Sequence, residues 1–169
     1  PMLHTKAFYD GLKAAGEKEI ISLNRSAWPG SQRFGAAVWS GDIHTTFQEL
    51  SVQVRAGLNM GMSGIPWWTT DIGGFMEGDI RTDYFKELIV RWFQYGVFCP
   101  LFRLHGVRLP LNGLYGAQSS GAGNEVWSFG ERNYEIIRNL LFLREKLKPY
   151  LRDLNQAAHE HGTPPMRPL

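Results

Sequence analysis

Cysteine is nearly absent from this chain. Cys99 is the single one among 169 residues, so no internal disulfide can form, and its apolar setting makes a buried, inert thiol its default role. Runs of one charge are lacking too. Lys and Arg number 18 against 16 Asp and Glu, a formal net charge of +2. No basic cluster supports a nucleic acid or a membrane surface as partner. No hydrophobic stretch has the length or purity of a membrane span. His159-Glu160-His161 lacks the i, i+4 histidine spacing that puts two ligands on one helix face, so no metal is expected there. The Gly- and Ser-rich segment Gly113–Gly123 has no Gly-Lys-Ser/Thr ending, which argues against a phosphate loop. Polar, solvated tails are missing at both ends. Pro1 runs almost directly into a helical pattern, and the chain stops within Gly162–Leu169, where a strand would be starting. A natural domain usually ends in a solvated tail, so the sequence reads as a piece of a longer one.

Aromatic rings are plentiful: Trp 6, Tyr 6 and Phe 10. Such rings pack many cores and also line sites where an apolar face meets the C–H face of a sugar. The hydrophobic pattern alternates between helical and extended periods. Residues 4–16 place Phe8, Leu12 and Ala15 on one helical face, with Gly16 as stop signal. Residues 19–23 and 35–39 read as short strands, ending at Asn24-Arg25 and Ser40-Gly41-Asp42. A helix over 45–59 carries Phe47, Leu50, Val54 and Leu58. The strand 65–71 ends in Asp71 before Gly73-Gly74. A helix over 82–98 has Phe85, Leu88, Ile89, Trp92 and Phe93 as its buried stripe. Residues 106–130 form a long glycine-rich excursion. A last helix, 131–158, turns Ile136, Ile137, Leu140, Leu147, Leu151 and Leu154 inward.

Alternating helices and near-continuously apolar strands point to a parallel α/β sheet. Arg25, Asp42 and Asp71 each fall at the C-terminal end of a predicted strand, the rim on which a (β/α)8 barrel builds its active site. Taken singly, Asp42 and Asp71 could equally cap the helices that follow them. Arg103 reads as an ordinary loop charge, and Trp67 and Trp68 point to opposite faces, so at least one belongs to the core.

Four ordered blocks make the pattern specific. They are Asn24-Arg25-Ser26 with Ser31–Asp42, Gly64–Phe75, Arg91–Gly96, and Pro100–His105. Together they resemble glycoside hydrolase family 31, whose members include α-glucosidases, α-xylosidases and α-glucosyl transferases. The resemblance implies that residues 1–169 are the C-terminal part, about half, of a (β/α)8 TIM barrel. It also implies roles. Asp42 matches the general acid/base; Arg25, Trp39, Asp71, Phe75 and His105 match residues lining the pocket for the terminal sugar. The partner implied is an oligosaccharide, with no nucleic acid, membrane, metal or organic cofactor, and the remainder of the same barrel is needed to complete the site.

Those residue types suit the chemistry. A retaining glycosidase needs two carboxyls ~5–5.5 Å apart, one nucleophilic and one proton-donating. The donor must stay protonated near the working pH, which apolar neighbours such as Trp39 would favour. The family's nucleophile lies in a Trp-x-Asp-x-x-Glu motif ending an earlier strand, and nothing in this chain matches it. Asp10 is the only acidic residue before Glu17 and sits in a helix. The expected parent is therefore a retaining, exo-acting enzyme that removes terminal α-xylosyl or α-glucosyl residues, with a lean towards xylose from the Ile65–Phe75 block. The chain alone is expected to be inactive and to expose apolar faces that missing strands would cover. A catalytically dead carbohydrate-binding relative, or a transglycosylase, would carry the same blocks.

Overall fold

The computed structural model describes residues 1–76, 78–111 and 121–168. Most of the segment 113–123 singled out in the sequence lies outside them.

The first helix, α1 (Met2–Ala14), leads into strand β1 (Ser22–Asn24). A 3-10 turn at Ser31–Phe34 precedes β2 (Ala36–Trp39), and α2 (Phe47–Met62) crosses to β3 (Trp68–Thr69). These three strands form one parallel sheet in chain order, β1-β2-β3. A parallel bridge between Ile72 and Leu104 continues it beyond α3 (Asp83–Gly96). Two further short strands, β4 (Gly78–Asp79) and β5 (Arg108–Leu109), pair in parallel, and α4 (Glu131–His161) closes the described chain. The expected parallel α/β fold is therefore present, although each strand is shorter than the sequence suggests. Neighbours in sequence are neighbours in the sheet, the winding that helical crossovers between parallel strands produce.

Local chemistry sets the helix starts. Thr46 caps α2 by accepting from the Glu49 amide, and Thr82 caps α3 by accepting from the Phe85 amide, each with an acid in the first turn. Thr46 and Glu49 have the spacing of a capping box, but the Glu49 carboxylate instead accepts from Gln53. Arg144 of α4 finishes α3 from outside. Its guanidinium donates to the carbonyls of Val97, Cys99 and Pro100 at 2.6, 2.7 and 3.1 Å, which holds the turn that follows the helix.

The main core lies between α3, α4 and the sheet. Phe85, Leu88, Ile89, Trp92 and Phe93 are all buried there, with Ile72, Phe129 and Ile137, so the stripe read from α3 is the one the fold covers. Cys99 is buried, and burial pushes its thiol up to about 12. In α4, Ile137 and Leu151 are buried and Ile136, Leu140, Leu147 and Leu154 half-buried, close to expectation. On α2 the side facing the sheet is Gln53, Gly57 and Gly61, with Leu50, Val54 and Leu58 only half-buried. Gly57 is there for close approach: a Cβ would come within 2.8 Å of the Trp68 ring. Trp68 is the buried member of its pair and Trp67 is half-buried.

The apolar stripe of α1 is not the face that the described residues cover. Phe8 is 55% and Leu12 41% exposed, and together with Ala7 and Gly11 they line an open apolar concavity. The helix packs instead through Thr5, which reaches the Asn24 side chain, and through Tyr9, edge-on to Phe34. The helical period was read correctly, but the covered side is the other one. Periodicity locates an apolar stripe and cannot say what lies opposite it.

Candidate active site

All six residues singled out from the sequence lie at or just beyond the C-terminal ends of the parallel strands. Arg25 follows β1, Trp39 ends β2, Asp42 follows it, Asp71 and Phe75 follow β3, and His105 follows the bridge at Leu104.

Asp42 is exposed. Arg25 pairs with it at 3.4 Å, in a contact that is open to water on both sides: the side chains are 61% and 38% exposed. Gly41 makes that contact possible. It holds φ +80°, and a Cβ there would meet the Arg25 Nε at 2.8 Å. The low-polarity setting expected around Asp42 from Trp39 is not what the described residues build. The Trp39 ring lies instead under the Arg103 guanidinium, 5.8 Å away.

Asp71 lies deeper and is fully buried. Arg103 donates to its Oδ1, while Oδ2 has no partner among the described residues. Burial raises the Asp71 carboxyl above the ordinary range. The positive charges of Arg103 and His105 offset part of that rise, and the negative charge of Asp42 adds to it. Arg103, His105 and Asp42 thus all act electrostatically on Asp71. The neighbouring hydroxyls of Ser40 and Thr70 lie 3.3 Å apart and tie the ends of β2 and β3 together. The rings of Phe75 and His105 lie beside one another, with centroids 5.5 Å apart.

The loops carrying these groups are laced by backbone bonds. The Phe75 and Met76 amides donate to the Ile43 carbonyl at 2.8 and 3.0 Å, and the Val107 amide donates to the Phe75 carbonyl at 2.8 Å. The loop after Asp42, the loop of Phe75 and the loop of His105 are therefore one connected layer. Gly74 allows it: at φ +77°, a Cβ would fall 2.6 Å from the Thr45 backbone.

With that rim in view, comparison with known proteins places the chain. The family model described as Glycosyl hydrolases family 31 TIM-barrel domain matches residues 1–154. The chain belongs to glycosyl hydrolase family 31. An α-xylosidase of Saccharolobus solfataricus is 40% identical over the whole chain, which spans 21% of that protein. An uncharacterized family 31 glucosidase of Pseudescherichia vulneris is 56% identical over 110 residues, 65% of the chain and 21% of the relative. Among solved structures, a family 31 α-xylosidase from a soil metagenome, complexed with xylose, superposes with a TM-score of 0.94 at 55% identity. It is covered over 26% of its length by the whole of this chain. The chain thus spans about a fifth of the curated relatives it matches.

Within this family 31 domain, sequence reasoning missed two arginines. Arg103 was read as a loop charge, yet it neutralises the buried Asp71; its place two residues before His105 in the fourth block was the available signal. Arg108 was not singled out either; two of its acceptors are backbone carbonyls 34 and 36 positions earlier. A concavity of about 480 Å3 at the opposite end of the sheet, lined by Lys18, Ile20, Gly35 and Pro66, includes none of the rim residues.

Proposed function

We propose that this chain is the C-terminal half of a (β/α)8 barrel and carries the acid/base side of a retaining, exo-acting α-glycosidase site. The substrate class is an oligosaccharide ending in a non-reducing α-xylosyl or α-glucosyl residue. The observation that carries this reading is the position of Asp42: a water-accessible carboxylate at a strand's C-terminal end, held by Arg25, on a rim shared with Asp71, Phe75 and His105. Such a rim is where a parallel barrel does its chemistry.

In this reading Asp42 protonates the leaving oxygen and then takes a proton from the water that opens the glycosyl-enzyme. Arg25 fixes the carboxylate and donates to sugar hydroxyls. Trp39 and Phe75 form apolar walls, His105 hydrogen-bonds hydroxyls, and Asp71 with Arg103 anchors the pocket floor. The nucleophile comes from the rest of the same barrel. The α-xylosidase names among the relatives favour a xylosyl residue. Xylose lacks the hydroxymethyl group of glucose, so the choice depends on whether one small space is filled.

The test is anomer-resolved hydrolysis of p-nitrophenyl α-xyloside and α-glucoside by the full-length polypeptide that carries this segment. Formation of the α-anomer first, with no turnover by residues 1–169 alone, is the expected result. First-formed β-anomer would overturn retention. Turnover by the 169-residue chain that disappears in Asp42→Asn would overturn the need for an outside nucleophile. Binding of sugar without hydrolysis would point to a non-catalytic relative.

A further inference from the structure

Arg108 is a cation sealed in the layer beneath the sugar-binding wall, and the wall is built around it. The residue is 0% exposed. Its Nη1 donates to the Gly74 carbonyl at 2.7 Å, its Nη2 to the carbonyls of Ile72 and His105 at 3.0 and 3.3 Å, and its Nε to the Asn124 Oδ1 at 2.8 Å. The guanidinium also lies over the Phe85 ring, 5.1 Å from its centre. Three glycines make room for it. A Cβ at Gly73 or Gly106 would come within 2.7 Å of its terminal nitrogens, and one at Gly78 within 3.0 Å.

Burying a charge with carbonyl acceptors and, among the described residues, no carboxylate bonded to it is costly. What it accomplishes is specific. Gly74 precedes Phe75, Ile72 follows Asp71, and the third carbonyl belongs to His105 itself. One planar fork therefore holds the backbones of both loops whose rings form the wall. Lysine, a point charge on a flexible stem, could not reach three carbonyls and an amide in that geometry.

We propose that Arg108 is the positioning residue of this site, setting the separation of Phe75 and His105, and with it the shape of the pocket for the terminal sugar. Arg108 touches no substrate in this role. It acts through the two loops, and the inference rests on the site assignment above.

The experiment compares Arg108→Lys with wild type in the full-length polypeptide, measuring kcat and KM for p-nitrophenyl α-xyloside and the inhibition constant of free xylose. Partial misfolding lowers kcat in proportion to the folded fraction and leaves KM unchanged. A displaced wall instead raises KM and the xylose constant together, and an increase of fivefold or more in both is expected. Unchanged KM and xylose constant would overturn the proposal. Should Arg108→Lys not fold, Asn124→Ala decides instead: it removes the Nε anchor, together with the 3.4 Å donation from the Asn124 amide to the Gly106 carbonyl. It should raise both constants about twofold, and no change in either would overturn the proposal. If wild type hydrolyses neither glycoside, the site assignment has failed and the xylose constant alone tests Arg108.

Discussion

Asp42 and Asp71 begin alike and end differently. Each follows a parallel strand, each is matched by an arginine from another strand end, and the sequence placed both in one pocket. Asp42 remains 38% exposed beside an arginine that is itself in water, whereas Asp71 is fully enclosed beside Arg103. The first is open to water. The second is enclosed, and the charges of Arg103, His105 and Asp42 act on it. Depth below the strand ends, rather than residue type or strand position, separates the open carboxyl from the sealed one.

The comparison breaks most sharply in activity. Asp42→Asn in the full-length polypeptide should lower kcat on an unactivated α-glycoside by roughly 10²–10⁴, the range of general acid–base catalysis. Its melting temperature should stay at the wild-type value. If Asp71→Asn gave the larger loss of kcat at unchanged KM, the two roles would have to be exchanged.

Stability should separate the arginines in the opposite order. Arg103→Met leaves a buried carboxylate without its counter-ion, a change that costs on the order of 3–5 kcal/mol when the pair is enclosed. Arg103 is partly exposed, so the lower end of that range is expected. Adding Asp71→Asn should recover part of the loss. Arg25→Met removes an exposed pair and should cost about 1 kcal/mol or less. Equal losses from the two arginine variants, read by thermal melts, would dissolve the distinction.

The smallest effect is in pH dependence. Burial raises the folded-state value of Asp71 above the ordinary 3.8. Its stabilising contribution is therefore complete below that ordinary value and is lost as pH rises through the folded-state value. Relative to Asp71→Asn, wild type should gain stability as pH is lowered from 7 towards 4. A loss over that interval would mean that Arg103 outweighs burial.

Two helices of the chain, α3 and α1, show how much was legible. In α3 an apolar stripe, a Thr cap and an acidic first turn agree, and the stripe is covered because α4 and the sheet lie against it. In α1 the stripe of Phe8 and Leu12 is equally readable, but the described residues pack on the Thr5–Tyr9 side. Local pattern is the same kind of signal in both; the neighbour that covers it is not local. The site divides in the same way. Asp42, Arg25, Asp71 and His105 stand in contiguous blocks that the sequence displays. Arg103 as partner of Asp71, and Arg108 as the fork beneath two loops, act across 32 and 36 positions.

By itself, then, the sequence determined the alternation of helices and parallel strands, the carboxylates at strand ends and the family to which the blocks belong. Periodicity, caps and short motifs are properties of neighbouring residues, so they survive in one dimension. Only the tertiary structure decided which apolar faces are covered, which carboxylate meets water and which is sealed, and that one buried arginine ties two loops together. Those outcomes depend on burial and on hydrogen bonds between distant backbones, and neither exists until the strands have been brought side by side.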